Sequence, residues 1–269
     1  MLVRDVLIEA TRRIKSISDI PNKEARILLS FYLKKDQIWI ITHDNENIEE
    51  EGYFELIKRR EKNEPIEYIT NSANFYGKEF YVDSNVLIPR PETELLVDQV
   101  VSICRGMKRP RIVEIGTGSG IVSIMLKYLI PDAEVTAIDI SEEALNIAKD
   151  NAIKHNQKIE FICSDLCENY VEKNFDILVS NPPYIANDEV LDIGLSYEPS
   201  LALYGGGIGD EILRKIIDIY QEKNIKYLVC EMGYDQKEKI DNYIENLALH
   251  VEYYKDLSNL DRGFVIERS

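Results

Sequence analysis

The tetrapeptide Asn181-Pro182-Pro183-Tyr184 has the residue types needed to hold a planar amino group. A residue before proline favours extended backbone, and each proline fixes its φ angle and lacks an N–H, so this turn is stiff. The Asn181 side chain and the Pro182 backbone each offer a carbonyl acceptor, and two acceptors can hold both hydrogens of an NH2 group. The Tyr184 ring can lie flat against the group that carries this nitrogen. We predict Asn181, Pro182 and Tyr184 as catalytic residues, and all four residues as the substrate-binding turn.

A glycine-rich segment earlier in the chain predicts a bound nucleoside. It runs Glu114-Ile115-Gly116-Thr117-Gly118-Ser119-Gly120, between a predicted strand and a predicted helix. Glycines let the backbone of such a turn approach a ligand closely. Asp139 ends the next predicted strand, about 20 residues further on, where a carboxylate can accept hydrogen bonds from both hydroxyls of a ribose. The residues predicted to bind this cofactor are Gly116, Thr117, Gly118, Ser119, Gly120 and Asp139.

The spacing of these glycines indicates which nucleoside is bound. A dinucleotide-binding loop has the pattern GxGxxG, but Ile121 occupies the place of the third glycine, which disfavours an NAD-linked dehydrogenase. The pattern ExGxGxG is instead similar to the first motif of methyltransferases that use S-adenosylmethionine (SAM), and Glu114 adds an acid near the charged portion of SAM. Asp165 follows the next predicted strand, where methyltransferases often contact the adenine amino group. A helix start or a surface position are the alternative interpretations of Asp165.

Together the two motifs indicate methyl transfer to a planar amide or amino nitrogen. An amide nitrogen is a poor nucleophile because its lone pair is delocalised, and methylation makes it more tetrahedral and more positive. Acceptors on its N–H groups therefore stabilise the transition state more than the ground state. The sulfonium methyl must lie in line with the lone pair. No strong general base is required, because the product can lose its proton afterwards.

Alternating strands and helices from residue 109 onward must position both motifs. Strands are predicted over residues 111–115, 134–138, 158–163, 175–180, 227–231, 250–254 and 264–267, with a turn over 259–263, and helices over 121–129, 142–155, 212–220 and 240–247. This alternation predicts an α/β fold with a Rossmann-like, doubly wound sheet, mostly parallel with an antiparallel C-terminal strand. Sheets of this kind bind ligands at the carboxyl ends of their strands, where both motifs lie.

Two further regions precede this sheet. Residues 1–72 have apolar residues at helical spacing and a single glycine, Gly52, which predicts a small helical bundle. Residues 73–91 have β-prone residues on both sides of the turn signal Asp83-Ser84-Asn85, which predicts a β-hairpin linker. Residues 92–269 are then the SAM-binding methyltransferase domain.

Composition limits the partners and the compartment. The net charge of −16 argues against stable nucleic-acid binding, in which neutralised phosphates supply much of the affinity. No apolar run approaches the ~20 residues of a membrane span, and neither a secretory signal nor a metal-binding cysteine pattern is recognisable. We therefore expect a soluble, cytoplasmic, monomeric protein that binds no metal and no membrane.

The chain resembles, over nearly its whole length, the protein-(glutamine-N5) methyltransferases that modify peptide chain release factors (the HemK/PrmC family). Besides the two motifs above, the similar segments are Glu24-Ala25-Arg26-Ile27-Leu28-Leu29, Arg59-Arg60, Glu64-Pro65-Ile66-Glu67-Tyr68-Ile69, Phe75-Tyr76-Gly77 and Ile88-Pro89-Arg90-Pro91-Glu92-Thr93-Glu94. The last of these is the most specific. The chain departs from the family at Ser200, where arginine is frequent, and at Ile208, where aspartate is frequent.

This resemblance implies a reaction and its partners. The substrate would be the glutamine of the Gly-Gly-Gln motif in class I release factors, and the products N5-methylglutamine and S-adenosylhomocysteine. Asp165 and Leu166 would contact the cofactor, and Asn181 would contact both cofactor and substrate. Pro89 and Arg90 would lie near the cofactor cleft. The helical domain, residues 1–72, would help to hold the release factor.

Two other functions stay open on the residues alone. Methylation of an adenine or cytosine amino group in DNA or RNA would use the same kind of turn, because those amines are planar too. The target base would have to leave its stack, and the net charge opposes this function. The other alternative is a module that binds the cofactor without transferring a methyl group, against which the intact motifs argue.

Overall fold

Helices whose apolar residues recur at i, i+3 and i+4 spacing form the first unit of the chain. The computed structural model describes residues 1–168, 174–245, 247 and 249–268. Unit 1 comprises Met1–Ser72 and Leu191–Tyr197, and unit 2 comprises the described residues of Ala73–Val190 and Glu198–Ser269. The helices of unit 1 are α1 (Val3–Ile14), α2 (Pro21–Leu33), α3 (Gln37–Thr42), α4 (Glu51–Glu61), α5 (Ile66–Thr70) and the 3₁₀ helix Ile193–Tyr197.

One buried core holds unit 1 together. It is built from aliphatic side chains and one tyrosine, among them Val6, Leu28, Leu29, Tyr53 and Ile57. The buried hydroxyl of Tyr53 donates a hydrogen bond to the Ala25 carbonyl, 2.9 Å away, so this polar atom is satisfied inside the core. The segment Leu191–Tyr197 joins this unit although the sequence pattern did not assign it there, and Tyr197 Oη donates to the Lys62 carbonyl at 3.0 Å.

A β-hairpin opens unit 2. Strands β1 (Ala73–Phe75) and β2 (Lys78–Phe80) are antiparallel, and the two residues between them, Tyr76 and Gly77, both have positive φ. Positive φ at both positions is the geometry of the tight hairpin turn whose twist matches that of the strands. The presence of a hairpin within residues 73–91 is thus confirmed.

The turn of this hairpin is not at the predicted position. Asp83-Ser84-Asn85 forms a separate turn, in which Asn85 N donates to Asp83 Oδ1 at 2.9 Å, but the next strand after it begins only at Arg111. The β-prone residues after it lead into Pro89 and Pro91, which cannot donate to a strand ladder. The Tyr76-Gly77 pair is the shorter loop, and the Tyr76 N–H is held by Glu94 Oε1 at 2.8 Å.

A seven-stranded sheet forms the centre of unit 2 and confirms the predicted fold class. Its order is β10-β11-β9-β6-β3-β4-β5; β11 pairs antiparallel with both β10 and β9, and the other neighbouring strands of this described sheet pair in parallel. The strands are β3 (Arg111–Ile115), β4 (Glu134–Asp139), β5 (Glu160–Cys163), β6 (Ile177–Ser180), β9 (Tyr227–Glu231), β10 (Val251–Lys255) and β11 (Asp261–Glu267). A short parallel pair, β7 (Ile185–Ala186) and β8 (Tyr204–Gly206), lies outside this sheet.

Helices pack on both faces of the sheet, because successive strand residues point to opposite sides. Ile112 and Val179 belong to an apolar cluster with helices α6 (Thr93–Ile103) and α7 (Ile121–Leu129). Val113 and Leu178 belong to a second cluster with α10 (Glu211–Glu222) and α11 (Lys237–Glu245). The remaining helices are α8 (Glu142–Lys154) and α9 (Ser200–Leu203). The strand order reverses between β3 and β6, which creates the crevice where such sheets bind ligands.

Several predicted boundaries differ from those observed. The turn predicted over residues 259–263 is too long, because β11 already begins at Asp261. Gly263 lies inside this strand because no side chain fits at its position. A Cβ there would be 2.1 Å from Tyr254 Oη and 2.2 Å from the Cys230 carbonyl oxygen. Helix α11 begins and ends earlier than predicted, and residue 246 of the predicted 240–247 helix is outside the described residues. No described helix is both long enough and apolar enough to span a membrane.

Candidate active site

A cavity of about 420 Å³ in unit 2 brings the two predicted motifs together. It opens at the carboxyl ends of β3, β4, β5 and β6, the position expected for a ligand site in this kind of sheet. Its volume lies in the range of roughly 300–1,000 Å³ that is typical of sites for small ligands and cofactors. The predicted site residues that line it are Gly116, Thr117, Gly118, Ser119, Asp139, Asp165, Leu166, Asn181, Pro182 and Pro183.

The glycine loop is shaped to leave open space above its backbone. Gly116 and Gly118 have φ angles of 75° and 54°, and a Cβ on either would meet no atom within 4 Å. Gly120, with φ of 83°, is different, because a Cβ there would be only 3.0 Å from Ala148 Cβ. The first two glycines therefore keep the cavity clear, whereas Gly120 lets α7 pack closely against α8. Gly120 is the one residue of the predicted loop that does not line the cavity.

Asp139 links the glycine loop to the end of β4. One carboxylate oxygen accepts a hydrogen bond from Gly118 N at 2.8 Å, and the other accepts one from Ser141 N at 3.0 Å. Burial raises the pKa of Asp139, and these backbone N–H groups oppose that rise. Each carboxylate oxygen has more than one lone pair, so both can still accept a hydrogen bond from a ligand hydroxyl.

Glu114 supports the loop from below. Its Oε2 accepts hydrogen bonds from Thr117 Oγ1 at 2.7 Å, from Ser123 N at 3.1 Å and from the Ser123 hydroxyl. Burial raises the pKa of Glu114 to about 7, against the lowering effect of these donors. Glu114 therefore stabilises the conformation of the glycine loop through these hydrogen bonds, and it also lines the cavity.

Asn181 directly follows β6 and faces the cavity with a defined amide orientation. Its Nδ2 donates to Thr93 Oγ1 at 3.2 Å, which leaves Oδ1 as the free acceptor. Pro182 and Pro183 continue the wall. The chain packs tightly behind this turn: a Cβ on Gly205 would be 2.4 Å from the Pro183 carbonyl oxygen, so only glycine fits at that position.

Tyr184 does not line this cavity. Its backbone carbonyl accepts a hydrogen bond from Gln236 Nε2 at 3.2 Å, which fixes the end of the turn. Burial raises the pKa of the Tyr184 phenol to about 12, with the nearby charge of Glu231 as the next cause, so the phenol is neutral at physiological pH. A role for the Tyr184 ring against the substrate stays a prediction.

The loop after β5 contributes Asp165 and Leu166 to the far wall. Asp165 is exposed and Leu166 half-buried, and Leu166 has a φ of 49°. A left-handed backbone is unfavourable for a leucine, and such conformations cluster at ligand-binding sites. The loop is tied to the Asp139 end of β4 by a hydrogen bond from Ser164 N to the Asp139 carbonyl at 3.0 Å.

The linker sequence supplies wall residues that depend on a buried acid, Glu198. The Glu198 carboxylate accepts a hydrogen bond from Ile88 N at 3.0 Å and pairs with Arg90. Pro89 and Arg90 line the cavity, as the resemblance implied, and so does Pro199 next to Glu198. Sequence reasoning missed Glu198 because its partners lie more than a hundred positions away and no local pattern marks the pair.

Two further residues behind Asn181 were also missed. Thr93, at the start of α6, is 2% exposed and accepts the Asn181 amide hydrogen; Glu231, at the end of β9, is 3% exposed. The register of β6 and β9 aligns Ser180 with Cys230, so Asn181 and Glu231 are the next residues at the same sheet edge. The family departures, by contrast, concern neither motif, since Ser200 and Ile208 do not line the cavity.

Comparison with known proteins identifies the family. The family model described as "PrmC N-terminal domain" matches residues 5–70, and that described as "Methyltransferase small domain" matches residues 91–194. A release factor glutamine methyltransferase of Clostridium acetobutylicum is 36% identical over 97% of each chain. One of Clostridium botulinum is 34% identical over 97% of this chain and 98% of its own.

A solved structure supports the fold at lower similarity. The hMettl16 catalytic domain in complex with the MAT2A 3′UTR hairpin 6 superposes with a TM-score of 0.58 at 16% identity, over 70% of this chain and 74% of its own. This likeness concerns the fold alone, and the family assignment rests on the relatives above. The chain belongs to the family of the release factor glutamine methyltransferases.

Proposed function

We propose that the protein transfers the methyl group of SAM to the side-chain amide nitrogen of the glutamine in the Gly-Gly-Gln motif of class I release factors. The products are N5-methylglutamine and S-adenosylhomocysteine. The observation that carries this proposal is that Asn181 lines the same cavity as the glycine loop while its Nδ2 is bonded to Thr93, so that Oδ1 is the side-chain atom left to accept a hydrogen bond from a ligand. Full-length similarity to release factor glutamine methyltransferases supports the choice of substrate.

The residues of the cavity fit SAM. Gly116 and Gly118 leave room above the loop, and Asp139 holds acceptors in reach of a ribose diol. Asp165 and Leu166 border the region assigned to the adenine, and Thr117 and Ser119 complete the loop. When bound, SAM supplies an electrophilic methyl group on sulfur. The cofactor-binding set proposed is Gly116, Thr117, Gly118, Ser119, Gly120, Asp139, Asp165, Leu166 and Asn181. Within this set Gly120 acts through the packing of the loop, because it does not line the cavity.

The rigid turn performs the chemistry by holding the nitrogen. Asn181 Oδ1 and the Pro182 carbonyl accept the two amide hydrogens, and Pro183 borders the rest of the group. Tyr184, which does not line the cavity, contacts the group only when its ring turns toward the substrate. With SAM held there, the nitrogen lone pair would take up the methyl group, the electron pair of the C–S bond would stay with sulfur, and the extra proton on nitrogen would pass to water. Positive charge develops on the nitrogen in this step, so the two acceptors bind the transition state more strongly than the ground state.

The remaining parts of the proposal concern partners. The helical unit, residues 1–72, binds the release factor, and the segment over residues 73–91, which begins with the hairpin, links it to the catalytic domain, residues 92–269. The protein acts as a cytoplasmic monomer and has no stable nucleic-acid partner. The net charge of −16 supports the last point, because DNA and RNA would be repelled.

Mass spectrometry tests the reaction. We expect the full-length protein with SAM to add about 14 Da to a release factor domain, with the methyl group on the glutamine of Gly-Gly-Gln. The same domain with glutamate in place of that glutamine is the control and should gain no mass, because it has no NH2 group. An adenine-containing single-stranded oligonucleotide should also stay unmodified. Methylation of the oligonucleotide but not of the release factor domain would overturn the proposal in favour of a nucleic-acid methyltransferase.

A further inference from the structure

Asn151 is a polar residue on the otherwise apolar buried face of α8, and its side chain is fully buried. A buried amide destabilises a protein unless its polar atoms are hydrogen-bonded. Every bond that the Asn151 side chain makes is to a backbone group. Its Nδ2 donates to the carbonyls of Tyr81 and Ser119, each at 2.9 Å, and its Oδ1 accepts a hydrogen bond from Tyr81 N at 2.8 Å.

These partners permit one orientation of the Asn151 amide. A backbone carbonyl can only accept a hydrogen bond and a backbone N–H can only donate one. The amide nitrogen must therefore face the two carbonyls, and the amide oxygen must face the Tyr81 N–H. A flipped amide would place its oxygen against two carbonyl oxygens. Asn151 is thus a fixed bridge between Tyr81, the residue after β2, and Ser119 in the glycine loop.

The carbonyl of Ser119 depends on this bridge. Ser119 is 3% exposed and lines the cavity. At a helix start such a carbonyl usually accepts a hydrogen bond from the N–H four residues later, but Ser123 N donates instead to Glu114 Oε2 at 3.1 Å. A buried carbonyl without a donor destabilises the folded state. The NH2 group of Asn151 supplies the missing donor and so fixes the glycine loop at Ser119.

The other end of the bridge holds the segment after the hairpin. The pairing of β2 with β1 ends at Phe80, and the Asn151 amide then bonds to both the N–H and the C=O of Tyr81, as a neighbouring strand would. Tyr81 does not line the cavity, but the chain that follows it does so at residues 84–87, 89 and 90. One side chain therefore bonds to the backbone of two segments that border the cavity.

We propose that Asn151 is a positioning residue for the cofactor, which holds the glycine loop and the segment after β2 at the separation that bound SAM requires. This inference rests on the proposed function for the identity of the bound molecule. Asn151 itself does not line the cavity. Because both segments share this one partner, binding of the cofactor and attachment of Tyr81 to α8 stabilise each other.

Calorimetry of S-adenosylhomocysteine binding tests the positioning role. Asn151→Leu keeps the approximate size of the side chain and removes all three hydrogen bonds. We expect its Kd to rise about three- to ten-fold, the effect of losing one hydrogen bond in the loop. Asn151→Asp still accepts from Tyr81 N but has at most one hydrogen for the two carbonyls, so its Kd should rise by a smaller factor. With saturating SAM, kcat should stay close to wild type in both variants, and the loss should appear in KM for SAM.

Ile147→Ala is the matched control for these variants. Ile147 is also buried on α8 and does not line the cavity. The smaller side chain should lower the unfolding temperature by leaving a void, but it should leave the Kd unchanged at a temperature at which all variants are folded. Wild-type affinity in Asn151→Leu, or an equal loss of affinity in Ile147→Ala, would overturn the proposal.

Hydrogen exchange of the Tyr81 amide, measured by NMR, tests the same bridge without any variant. S-adenosylhomocysteine should slow this exchange although Tyr81 does not line the cavity. The control is the amide of Tyr227, which bonds to the Asp176 carbonyl at 3.0 Å where β9 begins, at the opposite end of the sheet. We expect the slowing at Tyr81 to exceed that at Tyr227 by about three-fold or more. No slowing at Tyr81, or equal slowing at both amides, would contradict the coupling.

These measurements use no methyl acceptor, which keeps this inference separate from the proposed reaction. Weaker S-adenosylhomocysteine binding in the Asn151 variants of a protein that leaves release factors unmodified would support the positioning role and overturn the reaction. Methylation of release factors by an Asn151→Leu variant with wild-type affinity for S-adenosylhomocysteine would support the reaction and overturn the positioning role.

Discussion

Replacement of Asn181 by alanine is expected to lower kcat by about 100-fold or more. The affinity for SAM should fall by a much smaller factor, because the other residues proposed to bind the cofactor remain. The variant loses the Oδ1 acceptor that opposes the charge developing on the nitrogen, and removal of one such group costs roughly 10²–10³ in rate in other enzymes. The Pro182 carbonyl remains, so the substrate should still bind. Steady-state kinetics with the release factor domain, together with calorimetry of SAM binding, measures both effects.

Asn187→Ala is the matched control for this variant. Asn187 is an exposed asparagine a few residues after the turn, and its backbone N–H rather than its side chain bonds to the Gly206 carbonyl. We expect wild-type kcat for Asn187→Ala and an unchanged unfolding temperature for both variants. If Asn181→Ala methylated the release factor domain at close to the wild-type rate, the proposed hydrogen bond from the substrate NH2 group to Asn181 Oδ1 would be wrong.

Replacement of Asp139 by alanine is expected to weaken SAM binding by about 10- to 100-fold, equivalent to roughly 1.4–3 kcal/mol. Two effects combine in this loss. The ribose hydroxyls lose a charged acceptor, and the Gly118 and Ser141 N–H groups lose the carboxylate that holds the loop in place. Isothermal titration calorimetry measures the change directly.

Two further variants sharpen the Asp139 test. Asp139→Asn keeps one carbonyl acceptor and should have intermediate affinity. Asp150→Ala removes an exposed acid from α8 and controls for the change in net charge. Equal SAM affinity in the wild-type protein and in Asp139→Ala would exclude the ribose assignment, whatever the effect on turnover.

Local chemistry explains why the centre of the site could be predicted from the sequence. The glycine pattern between β3 and α7, and the acid that ends β4, each follow from the geometry of one strand–loop–helix unit. The stiffness of Asn181-Pro182-Pro183 is likewise a property of consecutive residues. In a parallel sheet the carboxyl ends of neighbouring strands share one edge, so motifs after β3 and β6 had to meet.

The parts that could not be predicted depend on contacts between distant residues. Glu198 carries no local sign that it will hold Ile88 and Arg90, and Thr93, which accepts a hydrogen bond from the Asn181 amide, lies 88 positions before it in the chain. The hairpin turn was misplaced because two turn signals lie within ten residues of each other, and only the pairing of Ala73–Phe75 with Lys78–Phe80 distinguishes them. Buried polar residues that hydrogen-bond to the site residues from distant parts of the chain are thus the hardest to find from the sequence.

The central claim is that Asn181 and Pro182 bind the NH2 group of the substrate glutamine. A crystal structure of the protein with S-adenosylhomocysteine and a Gly-Gly-Gln peptide tests this claim most directly. We expect the glutamine side-chain nitrogen to lie about 2.8–3.2 Å from both Asn181 Oδ1 and the Pro182 carbonyl oxygen. The cofactor sulfur should face this nitrogen across the gap that the methyl carbon crosses. A glutamine side chain bound outside this cavity, or an Asn181 amide that turns its NH2 group to the peptide, would contradict the account.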